Sequence, residues 1–139
     1  MSDVYSERTR LLERGVEELA GVPYGAVDDA DAAEGSLDCY GFARALVSRI
    51  GVDLPERPAE LLKSDLLVDL PDGVVLRPGD ILSDGPNRAV GVVIDSGRVA
   101  FVVSVPNGRA LKIQKLDLVF KAGIFTVRAR PRSLRVAAC

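Results

Sequence analysis

The chain has 139 residues, of which 47% are hydrophobic, and this predicts one domain with a sizeable core. Eighteen basic residues nearly balance 20 acidic ones, so the formal net charge of -2 gives no electrostatic basis for binding nucleic acid or an anionic membrane. No apolar run approaches the roughly 20 residues that a membrane-spanning helix needs, and the mixed charges of residues 1–8 predict no secretory signal.

The first part of the chain is predicted to be helical. Apolar residues follow helical spacing over residues 4–20, and Gly21 with Pro23 ends that pattern. A loop rich in Asp, Ala and Gly follows over residues 21–36. Its acidic run at residues 28–31 lacks the alternating ligands and the glycine of a calcium loop, so we interpret it as a solvated loop.

Cys39 is placed where a nucleophile is typically found. A tight loop precedes it, and a helix-period apolar stretch follows as far as Gly51, so Cys39 is predicted to begin a helix. The helix dipole and the unpaired N–H groups there would stabilise a thiolate. Cysteine catalysis usually also needs an imidazole, yet the chain contains no histidine. Cys39 is alternatively a small core residue, and both it and Cys139 are expected to be free thiols.

The second part of the chain is predicted to form strands. A short helix is expected over residues 59–67, and the pattern changes after Asp72. The predicted strands cover residues 81–82, 89–94, 99–105, 110–116 and 124–130. Helices followed by an antiparallel meander predict an α+β domain with the helices on one face of the sheet. We expect a single domain over residues 1–139, with a helical part at about 1–70, a sheet part at about 72–131 and a tail at 132–139.

Five motifs carry a family resemblance. They are Gly21-Val22-Pro23-Tyr24, Asp38-Cys39-Tyr40-Gly41-Phe42, Gly51-Val52-Asp53-Leu54-Pro55, Leu76-Arg77-Pro78-Gly79-Asp80-Ile81-Leu82 and Ala89-Val90-Gly91-Val92-Val93-Ile94. In this order and approximate spacing, residues 11–130 resemble the NlpC-type papain-like cysteine peptidases of bacterial cell walls. The resemblance implies a papain-like fold, with Cys39 at the nucleophile position and Tyr24 at the position of a tyrosine beside it.

The sequence departs from this family at the residues that assist the nucleophile. Ala89 stands where the family has its catalytic histidine. The third polar residue of the family aligns with Val102, and a shift of one or two residues would offer Ser104 instead. Tyr40 stands where the family commonly has a serine, and we expect its ring beside the thiol, narrowing or covering the cleft. The candidate replacement proton donors are Asp38, Asp80, Asp84 and Lys63.

The loss of the histidine decides the functional prediction. General acid–base catalysis contributes ~10²–10⁴-fold to a rate, and a carboxylate with a pKa of ~4 is a poor proton donor at neutral pH. We therefore predict a catalytically inactive NlpC-type domain. Because residues 1–8 predict no export signal, the resemblance to NlpC-type tail proteins of long-tailed phages further implies a structural subunit of a bacteriophage or gene-transfer particle tail tip. The alternatives are an active peptidase or amidase that cleaves peptidoglycan stem peptides with an unconventional or partner-supplied base, and a binding module that holds a peptide or glycan.

Partners and location follow from that prediction. The expected partners are other tail tip or hub proteins, with peptidoglycan as a further candidate and oligomerisation within the assembly. The basic segment at residues 128–135 is expected to be a solvated terminus or a docking strand for a partner protein. No cluster of soft ligands and no phosphate-binding glycine loop is found, so we expect no cofactor and no metal. The expected location is the virion tail, after assembly in the host cytoplasm.

Overall fold

The computed structural model describes residues 4–20, 39–55, 65–71, 73–83, 90–105, 108–123, 125 and 127–137. Its helices are α1 (Val4–Leu19), α2 (Cys39–Ser48), α3 (Leu116–Lys121) and α4 (Arg132–Ala137). Its strands are β1 (Leu67–Asp69), β2 (Ile81–Ser83), β3 (Val90–Asp95), β4 (Arg98–Val105), β5 (Gly108–Lys115) and β6 (Val127–Pro131). The α+β class is confirmed. Within these ranges, no helix is long and apolar enough to cross a membrane.

The six strands form one antiparallel sheet in the order β1-β6-β2-β3-β4-β5. Strands β2 to β5 follow one another as the predicted meander. Strand β6 returns from the end of the chain and lies between β1 and β2, which the sequence pattern did not predict. The register of the central hairpin places Gly91 opposite Phe101 and Val92 opposite Ala100.

The two faces of the sheet carry separate cores because side chains alternate along each strand. Helices α1 and α2 cover one face, where Leu12, Phe42 and Leu46 have no exposed surface. Helix α3 and Phe125 cover the other face, which includes Leu82, Val93, Val99 and Phe101. Phe101 and Phe125 meet edge to face, with their ring centroids 5.4 Å apart.

Helix α2 ends as its sequence predicts. Gly51 has a φ of 82°, the left-handed conformation that glycine adopts without a steric penalty. Its N–H donates to the Ser48 carbonyl at 3.2 Å, and the next N–H, of Val52, donates to the Val47 carbonyl at 3.1 Å. This pair of bonds satisfies two carbonyls at the helix terminus and turns the chain away from the helix.

Two predictions about the later elements need correction, and one helix was not predicted. Leu67 begins strand β1 and does not end a helix, while residues 59–64 of that predicted helix lie outside the described residues. Helix α3 was not predicted, since six residues are too few for a clear helical period. Residues 132–137 form helix α4, whose Leu134 is buried, and so most of the expected tail is a folded element.

The basic segment is also neither a solvated terminus nor a free docking strand. Strand β6 has hydrogen-bonded neighbours on both sides, and its arginines contact the rest of the domain. Arg128 lies over the Phe120 ring at 4.3 Å, and Arg132, just after the strand, donates from Nε to the Asp65 carbonyl at 2.7 Å. Arg130 binds Asp80. These three arginines therefore have contacts within the domain that hold the segment in the fold.

Candidate functional site

Cys39 is the first residue of helix α2, as the sequence predicts. The helix has ten residues counting Cys39, so the positive end of the helix dipole lies at this position. The other predicted site positions lie outside the described residues. These are Tyr24, assigned beside the nucleophile, and Ala89, assigned to the position of the missing histidine. Three of the candidate proton donors, Asp38, Asp84 and Lys63, lie outside them as well. The structure therefore fixes the backbone placement of Cys39, and its chemical role stays a prediction.

The elements expected to surround Cys39 meet in one buried cluster. This cluster contains Tyr40 from the first turn of α2, Val90 from the start of β3 and Val102 from β4. Position 89 immediately precedes β3. Val102 is 4% exposed and lies in the apolar core on the face that α2 covers. Position 102 thus supplies packing, and its side chain has no group that could orient an imidazole.

Tyr40 is a core residue as well as a neighbour of Cys39 in sequence. Only 4% of its surface is exposed, and its hydroxyl donates a 2.5 Å hydrogen bond to the Pro55 carbonyl. Arg44, one turn later on α2, donates from Nε to the Leu54 carbonyl at 3.0 Å. The two bonds attach helix α2 to the leucine-proline motif that follows it. The ring packs in the core, and its expected position beside the thiol, where it would narrow or partly cover the cleft, stays a prediction.

Asp80 was expected to be a turn residue and a candidate proton donor, but it is the centre of a buried ion pair. Its carboxylate has no exposed surface. Oδ1 accepts a hydrogen bond from Arg130 Nε at 2.8 Å, and Oδ2 accepts from Arg130 Nη2 at 2.9 Å. Oδ2 also accepts from the Arg77 N–H at 2.7 Å. These three bonds occupy the carboxylate, so Asp80 is a structural residue and not a replacement acid.

The electrostatics of this pair favour the charged state of Arg130. Hydrogen bonding to Asp80 raises the pKa of Arg130, burial opposes that rise, and the Asp80 charge adds to it. Arg130 also donates from Nη2 to the Val75 carbonyl at 3.2 Å. Sequence reasoning missed this pair because its members lie on a turn and in a basic segment, and a 50-residue separation leaves no local signal.

Two glycines of the quoted motifs have steric reasons for their positions. Gly79 has a φ of 95°, and a Cβ built there would lie 2.6 Å from Leu134 Cδ1 and 2.7 Å from Ile50 Cδ1. Gly91 lies against the second core, where a Cβ would come within 2.8 Å of Val99 Cγ2. These motif glycines therefore allow close packing of the sheet against its neighbours.

Metal binding finds no support in the part of the chain that the structure describes. No group of three or more His, Cys, Asp or Glu side chains there is arranged to hold an ion. The ion pairs among the described residues each join a carboxylate to a guanidinium: Asp80 with Arg130, Asp95 and Glu13 with Arg98, and Glu18 with Arg49.

Comparison with known proteins supports the fold. The chain is similar to the solved structure of NlpC2 from Trichomonas vaginalis, with a TM-score of 0.54 and 18% sequence identity. The match covers 94% of this chain and 48% of that one, so the chain spans about half the length of the structure that it matches. No family model matches the sequence, and no curated protein is significantly similar to it. The chain has an NlpC-like fold, and at this identity the likeness describes the fold alone.

Proposed function

We propose that this chain is an NlpC-type domain without hydrolase activity that serves as a structural subunit of a bacteriophage or gene-transfer particle tail tip. The observation that carries the proposal is that none of the 139 residues is histidine, although Cys39 begins a helix as a nucleophile would. A thiolate without an imidazole lacks the acid that protonates the leaving amine of a peptide.

The described residues offer no replacement for the imidazole near position 102. Val102 is apolar and buried, and the Asp80 carboxylate is already bound to Arg130. Members of a catalytic triad act as a unit, so the loss of the base together with the orienting residue removes most of the rate enhancement that such a site provides. The geometry therefore supports an inactive domain better than an active one.

The tail-tip assignment rests on the resemblance and on one feature of the sheet. NlpC-type domains occur as wall hydrolases and also as tail proteins of long-tailed phages, and the second role needs no chemistry. Strand β5 is an edge of the sheet that runs for eight residues. An edge strand presents unpaired backbone groups to which a strand of another protein can bind.

Activity is tested by incubating purified peptidoglycan with the wild-type protein and with Cys39→Ala, followed by mass spectrometry of the soluble products. We expect no peptide release from either protein. Release by the wild type that Cys39→Ala abolishes would contradict the proposal and support the alternative of a cysteine peptidase or amidase. Saturable binding of stem peptides without cleavage would instead support a binding module.

The structural role needs a separate experiment. Tail particles purified from the organism that encodes the chain would be cross-linked and analysed by mass spectrometry. We expect the chain in fixed ratio to the other tail proteins, with cross-links from the lysines of β5, Lys112 and Lys115. Particles that lack the chain would contradict the tail-tip assignment even if the domain is inactive.

A further inference from the structure

Strand β5 is the longer of the two edges of the sheet. It pairs with β4 over all eight of its residues, and among the described strands it has no neighbour on its other side. The opposite edge, β1, runs for only three residues. An added strand gains backbone hydrogen bonds along the whole length of the edge that it joins, so β5 is the edge better suited to bind another strand.

The backbone of β5 has a defined side that points away from the sheet. The N–H of Leu116, the residue after the strand, donates to the Gly97 carbonyl at 2.9 Å, on the side of β4. In an antiparallel pair, the N–H and C=O groups of successive residues point alternately toward the neighbouring strand and away from it. The groups that point to the open edge are therefore those of the odd-numbered positions, 109, 111, 113 and 115.

The described side chains of β5 differ between the two faces of the sheet. Leu111 and Ile113 lie on the face that α1 and α2 cover, since the β4 residues opposite them belong to that core. Leu111 is partly buried against the core, whereas Ile113 is 43% exposed. Lys112 lies opposite Phe101 on the other face and is exposed. A strand beside β5 would cover Ile113 with one set of alternate side chains and meet Lys112 with the other.

The charge of β5 distinguishes between the strands that could join it. Its charged residues are Arg109, Lys112 and Lys115, and none is acidic. Two copies of β5 would bring only positive charges together in any register, and like charges on facing strands destabilise the pairing. Lysine on an edge strand commonly prevents such self-association. A strand with acidic residues would instead gain opposite-charge pairs at the same positions.

We propose that β5 binds an extended segment of a partner protein in which apolar and acidic residues alternate, and that this segment adds one strand to the sheet. Its apolar side chains lie beside Leu111 and Ile113 and extend the core under α1 and α2. Its acidic side chains lie beside Lys112 on the other face. This inference gives the chemistry of a partner for the edge, and it rests on the proposed structural role, which requires such a partner.

The test is an NMR titration of the full chain at pH 7 with a seven-residue synthetic peptide that alternates glutamate and valine, beginning and ending with glutamate. We expect saturable binding. At a free peptide concentration ten times its Kd, hydrogen exchange of the amides at positions 109, 111, 113 and 115 should slow about tenfold. Raising the salt from about 0.1 M to about 1 M shortens the Debye length from about 10 Å to about 3 Å and should weaken the binding. A peptide with lysine in place of every glutamate should bind more weakly.

Lys112→Glu tests the charge of the edge. It should weaken binding of the acidic peptide about tenfold, because an attractive pair becomes a repulsive one. Arg10→Glu, at an exposed position of α1, makes the same change in net charge and is the matched control. It should bind as the wild type does. If Lys112→Glu failed to fold, as judged by circular dichroism, Ile113→Thr would decide. That variant keeps a β-branched side chain but loses apolar area, and it should weaken binding about threefold.

Each contrary result overturns a stated part of the inference. No saturable binding of the acidic peptide, or equal binding of the two peptides, would overturn the choice of an acidic partner. Binding without slower exchange at the four outward amides, or equal effects of Lys112→Glu and Arg10→Glu, would show that β5 is not the site. A dimer in analytical ultracentrifugation that Lys112→Glu changes would give the edge to a second copy of the chain.

These results are independent of the test of the structural role. Tail particles that contain the chain, together with no binding of the acidic peptide, would overturn this inference and leave the proposed function in place. Particles that lack the chain would contradict the tail-tip assignment, and peptide binding at β5 would still establish the chemistry of the edge.

Discussion

Arg130 and Asp80 bind each other at two points across 50 residues of sequence, through bonds of 2.8 Å from Nε and 2.9 Å from Nη2. Asp80 has no exposed surface, and the Arg130 side chain is 16% exposed. The pair joins the turn before β2 to strand β6, which is the strand that returns from the end of the chain to lie between β1 and β2. It thereby fixes β6 beside β2, which is one of the two non-sequential strand pairings of the sheet.

We expect Asp80→Asn to lower the free energy of unfolding by about 3 kcal/mol, since the substitution leaves the Arg130 charge partly buried without its counter-ion. Urea denaturation followed by circular dichroism measures this change. The matched control is Asp95→Asn, which removes an ion pair with Arg98 in which the two side chains are 34% and 38% exposed. The control should cost less than about 1 kcal/mol. Equal losses for the two variants would contradict the importance given to burial.

Gly79→Ala tests close packing separately from backbone strain. The φ of 95° disfavours any side chain, and the new Cβ would lie 2.6 Å from Leu134 and 2.7 Å from Ile50. Gly73 has a similar φ of 91°, with nothing within 4 Å of a Cβ built there. We expect a loss of about 1–2 kcal/mol for Gly73→Ala from strain alone. Gly79→Ala should lose a further 1–3 kcal/mol, roughly, from overpacking.

The difference between the losses in free energy of unfolding of Gly79→Ala and Gly73→Ala measures the cost of overpacking. It is obtained from urea denaturation curves collected under identical conditions. If Gly79→Ala cost no more than Gly73→Ala, helix α4 would have to move away from the turn without penalty, and Leu134 would not be packed there as the structure has it.

Some of this arrangement could be predicted from the sequence and some could not. Helical spacing with Gly21 and Gly51 as terminators gave α1 and α2 within a few residues, and β-branched runs gave the hairpin of β3 and β4. These are local signals. The position of β6 depends on which strands pair over long distances, and no local pattern encodes that choice.

The candidate site likewise has features that local sequence predicts and features that depend on packing. The start of a helix at Cys39 follows from the residues around it, and the structure confirms it. The core positions of Tyr40 and Val102 depend on which face of an element meets the other layer, and a resemblance in sequence order does not reveal this.

Asp95 provides a test by pH. Partial burial acts to raise its pKa, but hydrogen bonds from Arg98 and from the Gly97 N–H, with the Arg98 charge, lower the pKa below its ordinary value of 3.8. A carboxyl whose pKa is lower in the folded state adds stability above its unfolded pKa, and that stability is lost as pH falls through the folded pKa. We expect the Asp95 carboxyl to titrate below pH 3.8 in carbon-13 NMR. Arg98→Gln should move the titration upward, and an unchanged midpoint would contradict the role of Arg98.

Substitutions of Tyr40 test whether its ring packs in the core or covers a cleft. The ring is 4% exposed and its hydroxyl binds the Pro55 carbonyl, so Tyr40→Phe should lower the free energy of unfolding by about 1 kcal/mol through the lost bond. Tyr40→Ser, which introduces the residue common in the NlpC-type family, removes the ring and should cost about 3–5 kcal/mol, as large truncations in a core do. Urea denaturation of both variants gives the two values. A ring that merely covered a cleft would lose less than about 1 kcal/mol on truncation to serine, because surface substitutions rarely cost more. Such a result would show that the Tyr40 ring covers a cleft and does not pack in the core, and Cys39 would then lie beside that cleft.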